Sequence, residues 1–180
     1  MQYKKPLVIL ELANNHMGDV KHAIKIIGRY FKICKPYFNK IDFAIKFQFR
    51  NLETYVHSDY SKDNHPQVKR FVETKLSSKE WKKIISLAKK RFKKIICTPF
   101  DENSVDRLIH LKFDYLKIAS CSCDEWPLLE YIAKNAKKKK IICSLGGADL
   151  NQIKKTISFF KNRKTNINFL YCVAKYPTEP

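Results

Sequence analysis

The sequence predicts an α/β fold of the TIM (β/α)8 barrel type that stops after about six β/α units. Three observations carry that expectation. Short apolar runs alternate with segments of helical apolar period along the whole chain. The runs are nearly continuous in apolar residues, as parallel strands buried on both faces are. Polar residues stand at the C-terminal ends of successive runs, where barrel enzymes place their reactive groups. A length of 180 residues suits one domain with a sizeable core, yet complete barrels usually run to about 250. Residues 1–180 are therefore expected to form a single, incomplete barrel domain.

Leu7 to Leu10 is a short buried strand, and Lys21 to Phe31 follows with Ala23, Ile24, Ile26, Ile27, Tyr30 and Phe31 on roughly one helical face. Phe43 to Phe49 is the second strand. Residues 50–75 read as a long polar connection dotted with aromatics, a loop that a barrel would carry over its C-terminal mouth. Ser77 or Ser78 caps the next helix, with Glu80 just inside it. Lys94 to Thr98 and Ser104 to Leu111 are the third strand and its helix. Tyr115 to Ala119 and Pro127 to Asn135 are the fourth pair, with proline in the first helical turn. Ile141 to Ser144 and Asn151 to Phe160 are the fifth, and Ile167 to Val173 is the sixth strand. A doubly wound open sheet is the competing architecture, and it requires a glycine-rich phosphate turn after the first strand. That position holds Glu11-Leu12-Ala13-Asn14-Asn15-His16: carboxylate, amide and imidazole, which favours the barrel.

Composition narrows the function classes. The net charge of +19 invites a nucleic-acid reading, but lysines outnumber arginines about five to one and are spread along every expected helix. The densest run, Lys137 to Lys140, reads as a solvated connection. No stacking platform or recognised nucleic-acid module accompanies it, so no specific nucleic acid is expected as a partner. No apolar run approaches the roughly 20 residues that span a bilayer, and the N-terminus lacks a signal-peptide pattern. A cytoplasmic protein without a membrane role is the expectation. Cys97, Cys143 and Cys172 fall inside apolar strands, where a free thiol behaves as a small hydrophobe. Cys121-Ser122-Cys123 is a C-x-C, not the C-x-x-C of zinc or redox motifs.

The strand ends carry the chemistry. They offer Glu11, Asn15 and His16 at the first strand and Lys46 and Gln48 at the second. The third gives Thr98 and Asp101, the fourth Lys117 and Ser120, the fifth Ser144, and the sixth Lys175 and Tyr176. Lys46 and Lys117 sit within apolar strands, where an ammonium either reaches solvent along its stem or meets a bound anion. Two lysines at equivalent strand ends, with hydroxyls at Thr98, Ser120 and Ser144, fit a phosphate or carboxylate. Glu11 and Asp101 serve equally well as helix or turn caps.

Six motifs then occur in order: Glu11-x-x-x-Asn15-His16-x-Gly18, Lys46-Phe47-Gln48, Thr98-Pro99-Phe100-Asp101, Lys117-Ile118-Ala119-Ser120, Pro127-Leu128-Leu129-Glu130 and Tyr176-Pro177. Together they resemble the N-terminal barrel of the N-acetylneuraminate (sialic acid) synthase family, which includes legionaminate, pseudaminate and spore-coat polysaccharide synthases. The resemblance implies a transferase in sialic acid biosynthesis. Phosphoenolpyruvate attacks the open-chain aldehyde of an N-acyl hexosamine such as N-acetylmannosamine, water adds to the oxocarbenium-like centre, and phosphate leaves with C–O cleavage. It implies that Lys46, Lys117, Ser120 and Ser144 hold phosphoenolpyruvate and that Gln48 and Thr98 support them. Tyr176 then lines the same pocket, and Glu11 acts as base or charge stabiliser. Asn15, His16 and Asp101 complete the expected substrate contacts.

The departures also matter. Ser144-Leu145-Gly146-Gly147 stands where the family has Ser-Thr-Gly-Met, Ala174 replaces a small polar residue, and Ser122 stands where a carboxylate is common. The resemblance implies a divalent metal, Mn or Mg, whose histidine ligands belong to strands beyond residue 180. The family's C-terminal antifreeze-like domain is likewise not among these 180 residues. The expected alternatives are a piece active once the rest is supplied, as a homodimer or with a complementing second half, and a catalytically inactive fragment. A basic binding or scaffold protein is the third.

Overall fold

The structure, a computed structural model, describes residues 5–175. Six strands alternate with helices among them: β1 Leu7–Glu11, α1 Val20–Cys34, β2 Asp42–Phe49, α2 Leu52–Tyr55, α3 Pro66–Glu73, α4 Ser78–Arg91, β3 Lys94–Pro99, α5 Glu102–His110, β4 Tyr115–Ile118, α6 Trp126–Asn135, β5 Lys140–Ser144, α7 Leu150–Asn162 and β6 Ile167–Leu170. The strands are hydrogen-bonded in the order β1-β2-β3-β4-β5-β6. This unreversed order is that of a β/α barrel, whereas a doubly wound sheet reverses at a switch point. The described residues supply six strands, not eight.

The chain divides into two compact units. Among the described residues the first holds 5–48 and 52–96, the second 49–51 and 97–175.

In the first unit, β1 and β2 pair in parallel from Leu7↔Asp42 to Glu11↔Lys46. Asp19 starts α1 by accepting from the Lys21 amide at 2.7 Å, and the helix buries Ala23, Ile27 and Cys34. Ser77 starts α4 with a reciprocal cap. Its hydroxyl accepts from the Glu80 amide at 3.3 Å, and its own amide donates to Glu80 Oε2 at 2.7 Å. Such a cap is worth about 1 kcal/mol. Trp81, Ile84, Ile85 and Ala88 form the buried face of α4, and Trp81 meets Phe47 edge to face at 6.0 Å.

In the second unit, β4, β5 and β6 pair in parallel, with Tyr115↔Lys140 and Ile141↔Ile167 opening the two ladders. Asp149 caps α7 through the amides of Asn151 and Gln152, at 2.7 and 2.9 Å. Leu108, Phe113, Leu116, Leu129, Ile132, Ile141 and Phe160 are fully or almost fully buried, and Phe49 packs edge-on against Phe113 at 5.6 Å.

Four sequence expectations are corrected. The 50–75 connection contains α2 and α3, the latter started by Pro66 at a first-turn position. The fifth helix begins at Glu102, two residues early, because Asp101 accepts from the Ser104 amide and sets the start. The fourth strand stops at Ile118, since Ser120–Ser122 turn into a 3-10 helix. The sixth strand ends at Leu170, so Cys172 lies beyond it and is half-buried rather than a strand-core thiol. Cys97 and Cys143 are buried in strands as expected, and all six cysteines are free. No helix among the described residues is long and apolar enough to cross a membrane.

Candidate active site at the strand ends

The first unit brings together Glu11 and Lys46. Parallel register sets them opposite each other at the ends of β1 and β2, and Lys46 Nζ lies 2.5 Å from Glu11 Oε2. The lysine side chain is 17% exposed and the carboxylate 38%. The other carboxylate oxygen accepts from the Ala13 amide at 3.0 Å, so Glu11 also shapes the turn that follows it. In that turn the Leu12 amide donates to the Lys46 carbonyl at 2.9 Å, tying the loop to the neighbouring strand.

The turn explains most of the Glu11-to-Gly18 motif. Ala13, Met17 and Gly18 have φ of 43°, 53° and 72°. A Cβ on Gly18 would meet the Glu73 carbonyl oxygen at 2.8 Å, so only glycine fits without displacement. His16 is 2% exposed. Its Nδ1 accepts from the Gly18 amide at 3.1 Å, and its ring stands edge-on to Trp81 at 5.2 Å. Burial, and then the neighbouring His22, lower its pKa from the ordinary value. With Nδ1 accepting, the neutral ring carries its proton on Nε2. Asn15 is exposed. Its neighbour Asn14 is the buried amide, donating to Thr74 Oγ1 at 3.3 Å. Nothing in the local pattern separates the two asparagines, so sequence reasoning passed over Asn14. Gln48 is half-buried near the end of β2.

The second unit holds the other lysine. Lys117 is 9% exposed, and its ammonium donates to Ser144 Oγ at 2.6 Å and to the Ile118 carbonyl at 3.0 Å. Lys117 and Ser144 lie on one face of the β4–β5 ladder, since Lys117 is opposite Ile142, two residues before Ser144. Ser120 Oγ accepts from the Gly146 amide at 3.2 Å. Cys172 Sγ lies 3.2 Å from Ser144 Oγ, a contact hidden from the sequence because it depends on where β6 ends. Thr98 is buried in β3. Asp101 is buried, and its carboxylate accepts from the Asn51 amide, the Ser104 amide and Ser104 Oγ at 2.7, 2.7 and 2.9 Å. Tyr176 lies outside the described residues.

No group of three or more His, Cys, Asp or Glu is placed to hold a metal ion among the described residues. The carboxylate at the end of β1 is already engaged by Lys46 and the Ala13 amide. The described residues do not assemble a metal donor set.

Six sequentially ordered strands alternating with helices define a parallel α/β half-barrel, with polar side chains at the strand ends. Residues 39–180 match the NeuB family, and the chain belongs to that family. It is 33% identical to the N,N'-diacetyllegionaminic acid synthase of Campylobacter jejuni over 97% of this chain and 53% of that protein. A crystal structure from Chromobacterium violaceum, assigned to spore coat polysaccharide biosynthesis, superposes with a TM-score of 0.89 at 41% identity. That match covers 98% of this chain and 51% of the other. The N-acetylneuraminic acid synthetase of Leptospira borgpetersenii, solved with citrate, gives 0.78 at 29% identity, covering 96% and 55%. The chain spans about half the length of the relatives it matches.

Proposed function

We propose that this chain forms the phosphoenolpyruvate-binding part of a sialic-acid-synthase-like enzyme of carbohydrate biosynthesis. The enzyme condenses phosphoenolpyruvate with an N-acyl hexosamine of the N-acetylmannosamine type to give a nonulosonic acid. The observation that carries the reading is Lys117: a buried ammonium held at 2.6 Å by the Ser144 hydroxyl and at 3.0 Å by a backbone carbonyl. An ammonium this little exposed to water, at the end of a strand, favours an anionic ligand. In this reading Lys46, Lys117, Ser120 and Ser144 bind phosphoenolpyruvate, with Gln48, Thr98 and Tyr176 beside them. Glu11 acts at the reacting centre as base or charge stabiliser, released from Lys46 when the substrate's own anion takes that ammonium. His16 and Asp101 serve substrate binding indirectly, by holding the first turn and the start of α5, and the exposed Asn15 contacts the substrate directly.

The test is ligand-induced stabilisation. Phosphoenolpyruvate at 100 times its dissociation constant adds about 2.7 kcal/mol to the stability of a binding-competent fold. The expected result is a concentration-dependent rise in melting temperature that is lost in Lys46→Ala and Lys117→Ala. A melting curve indifferent to the ligand in wild type and both variants sinks the reading.

A second reading is that the chain works as a complementing half, alone inactive. Its support is the apolar exposure at and just after β6, where Leu170, Tyr171 and Val173 are 40%, 93% and 57% exposed and could meet a partner. Condensation measured by mass spectrometry separates the two, with the chain alone and with the C-terminal half of a relative added. Product only in the mixture favours the complementing half.

A further inference from the structure

We propose that Cys172 is a positioning residue of the anion-binding group in the second unit, holding the Ser144 hydroxyl so that its proton faces the ligand. The inference rests on the reading of Lys117 and Ser144 as phosphoenolpyruvate-binding residues, and it concerns a residue that reading does not use.

Ser144 Oγ has an ammonium on one side, Lys117 Nζ at 2.6 Å, and a thiol on the other, Cys172 Sγ at 3.2 Å. The same sulfur lies 3.7 Å from the Leu170 carbonyl, the longer of its two contacts. A hydroxyl has two lone pairs and one proton. The thiol carries one proton, which can go to Ser144 Oγ or to the Leu170 carbonyl. Given to Ser144, the nearer of the two, it leaves both lone pairs of that hydroxyl occupied by donors and sends the Ser144 proton to a third group. Ser144 thereby becomes a directed donor, which an anionic oxygen accepts as a strong, charge-assisted bond. Ser120 is prepared in the same sense, because its oxygen already accepts from the Gly146 amide at 3.2 Å.

The backbone fixes the thiol in that place. A Cβ on Gly146 would meet Cys172 Cβ at 2.9 Å, the Cys172 carbonyl oxygen at 3.0 Å and Ser120 Oγ at 3.2 Å. Gly146 thus lets the segment after β6 close against the loop after β5, and both hydroxyl arrangements depend on that approach. The thiol is also within reach of reagents. Cys34, Cys97, Cys123 and Cys143 are buried, whereas Cys121 is exposed and Cys172 half-buried. Burial pushes the Cys143 thiol up to about 12 and raises those of Cys34 and Cys123, which keeps these three in the unreactive thiol form.

The experiment follows N-ethylmaleimide addition to Cys172 by peptide mass mapping, with and without phosphoenolpyruvate. In parallel, the phosphoenolpyruvate melting shift is measured for wild type, alkylated wild type, Cys172→Ala and Cys172→Ser. Expected are slower Cys172 labelling with ligand, loss of the shift after alkylation, and affinity weakened about fivefold in Cys172→Ala, the factor one ordinary hydrogen bond corresponds to. Cys172→Ser, which keeps a donor, restores most of it. A merely structural role would instead lower the melting temperature of both variants without ligand and leave their affinity unchanged. If wild type shows the melting shift but labels at the same rate with ligand, and Cys172→Ala keeps full affinity, the positioning role is overturned and the phosphoenolpyruvate reading stands. No shift in wild type overturns the reading underneath as well. The labelling comparison uses wild type alone, so it decides even where a variant misfolds.

Discussion

Each unit contributes one strand lysine, and the two are held in opposite ways. Lys46 meets a carboxylate, Glu11 Oε2, at the solvent-accessible end of the β1–β2 ladder. Lys117 is buried and donates to a hydroxyl and a carbonyl. An ion pair with a half-exposed partner is close to neutral for stability, and its charge is already spoken for. Lys117 is withdrawn from water, and that desolvation is a cost which an anionic ligand would offset. On the proposed reading, the difference makes Lys117 the main anchor for the anion and Lys46 a charge that must first be released from Glu11.

The largest effect expected from that difference is on ligand affinity. Lys117→Ala should weaken phosphoenolpyruvate binding on the order of 100-fold, the loss seen when one partner of a buried charge contact is truncated. Lys117→Met should lose binding equally, yet raise the ligand-free stability by about 1 kcal/mol, since an apolar stem replaces a desolvated charge. Melting curves without ligand check this. A Met variant less stable than wild type would show that Lys117 holds the fold together, and the contrast with Lys46 would fail.

Next in size is the turn that carries Glu11. Gly18→Ala has to accommodate both a φ of 72° and a 2.8 Å approach to the Glu73 carbonyl oxygen, and should cost about 2 kcal/mol in denaturant unfolding. Gly28→Ala is the control within the same unit. It lies inside α1, its added Cβ meets only Arg91 Nη1 at 3.6 Å, and it should stabilise by about 0.5 kcal/mol.

A pH effect follows from His16. Its folded pKa is lowered by burial, so its contribution is fully present above the unfolded value of about 6.5 and is lost as pH falls through the lower folded value. Melting temperature should decline on acidification below about pH 6.5, and His16→Asn should flatten that decline, because the amide oxygen replaces Nδ1 as acceptor for Gly18. Asp42, held low by its hydrogen bond from Lys94, and Glu80, held low by Ser77, lose their contributions only in the more acidic carboxylate range. The smallest effect is Lys46→Met, which should change stability by less than about 1 kcal/mol.

The alternation of strands and helices was legible because the strands are apolar on both faces and the helices announce their starts. Ser77 with Glu80 formed the expected capping box, and Pro127 stands in the first turn of α6. The polar residues at strand ends were legible for the same reason, as interruptions of apolar runs. The β6 boundary was not legible: Leu170-Tyr171-Cys172-Val173 is apolar throughout, so the hydrophobic pattern marks no end to the strand at Leu170. The helices of the 50–75 connection were hidden by their shortness, since α2 spans 4 residues and α3 only 8, too few for the Val68, Phe71 and Val72 spacing to stand out. Asn14 was passed over because its partner, Thr74, is distant in sequence.

The unreversed strand order has a consequence for biogenesis. Among the described strands each pairs with the one made immediately before it, so these pairings form between strands adjacent in the chain. Such a chain can condense progressively from its N-terminal end, β/α module upon β/α module, during translation. Throughout that process the growing end presents the most recent strand as a template for the next.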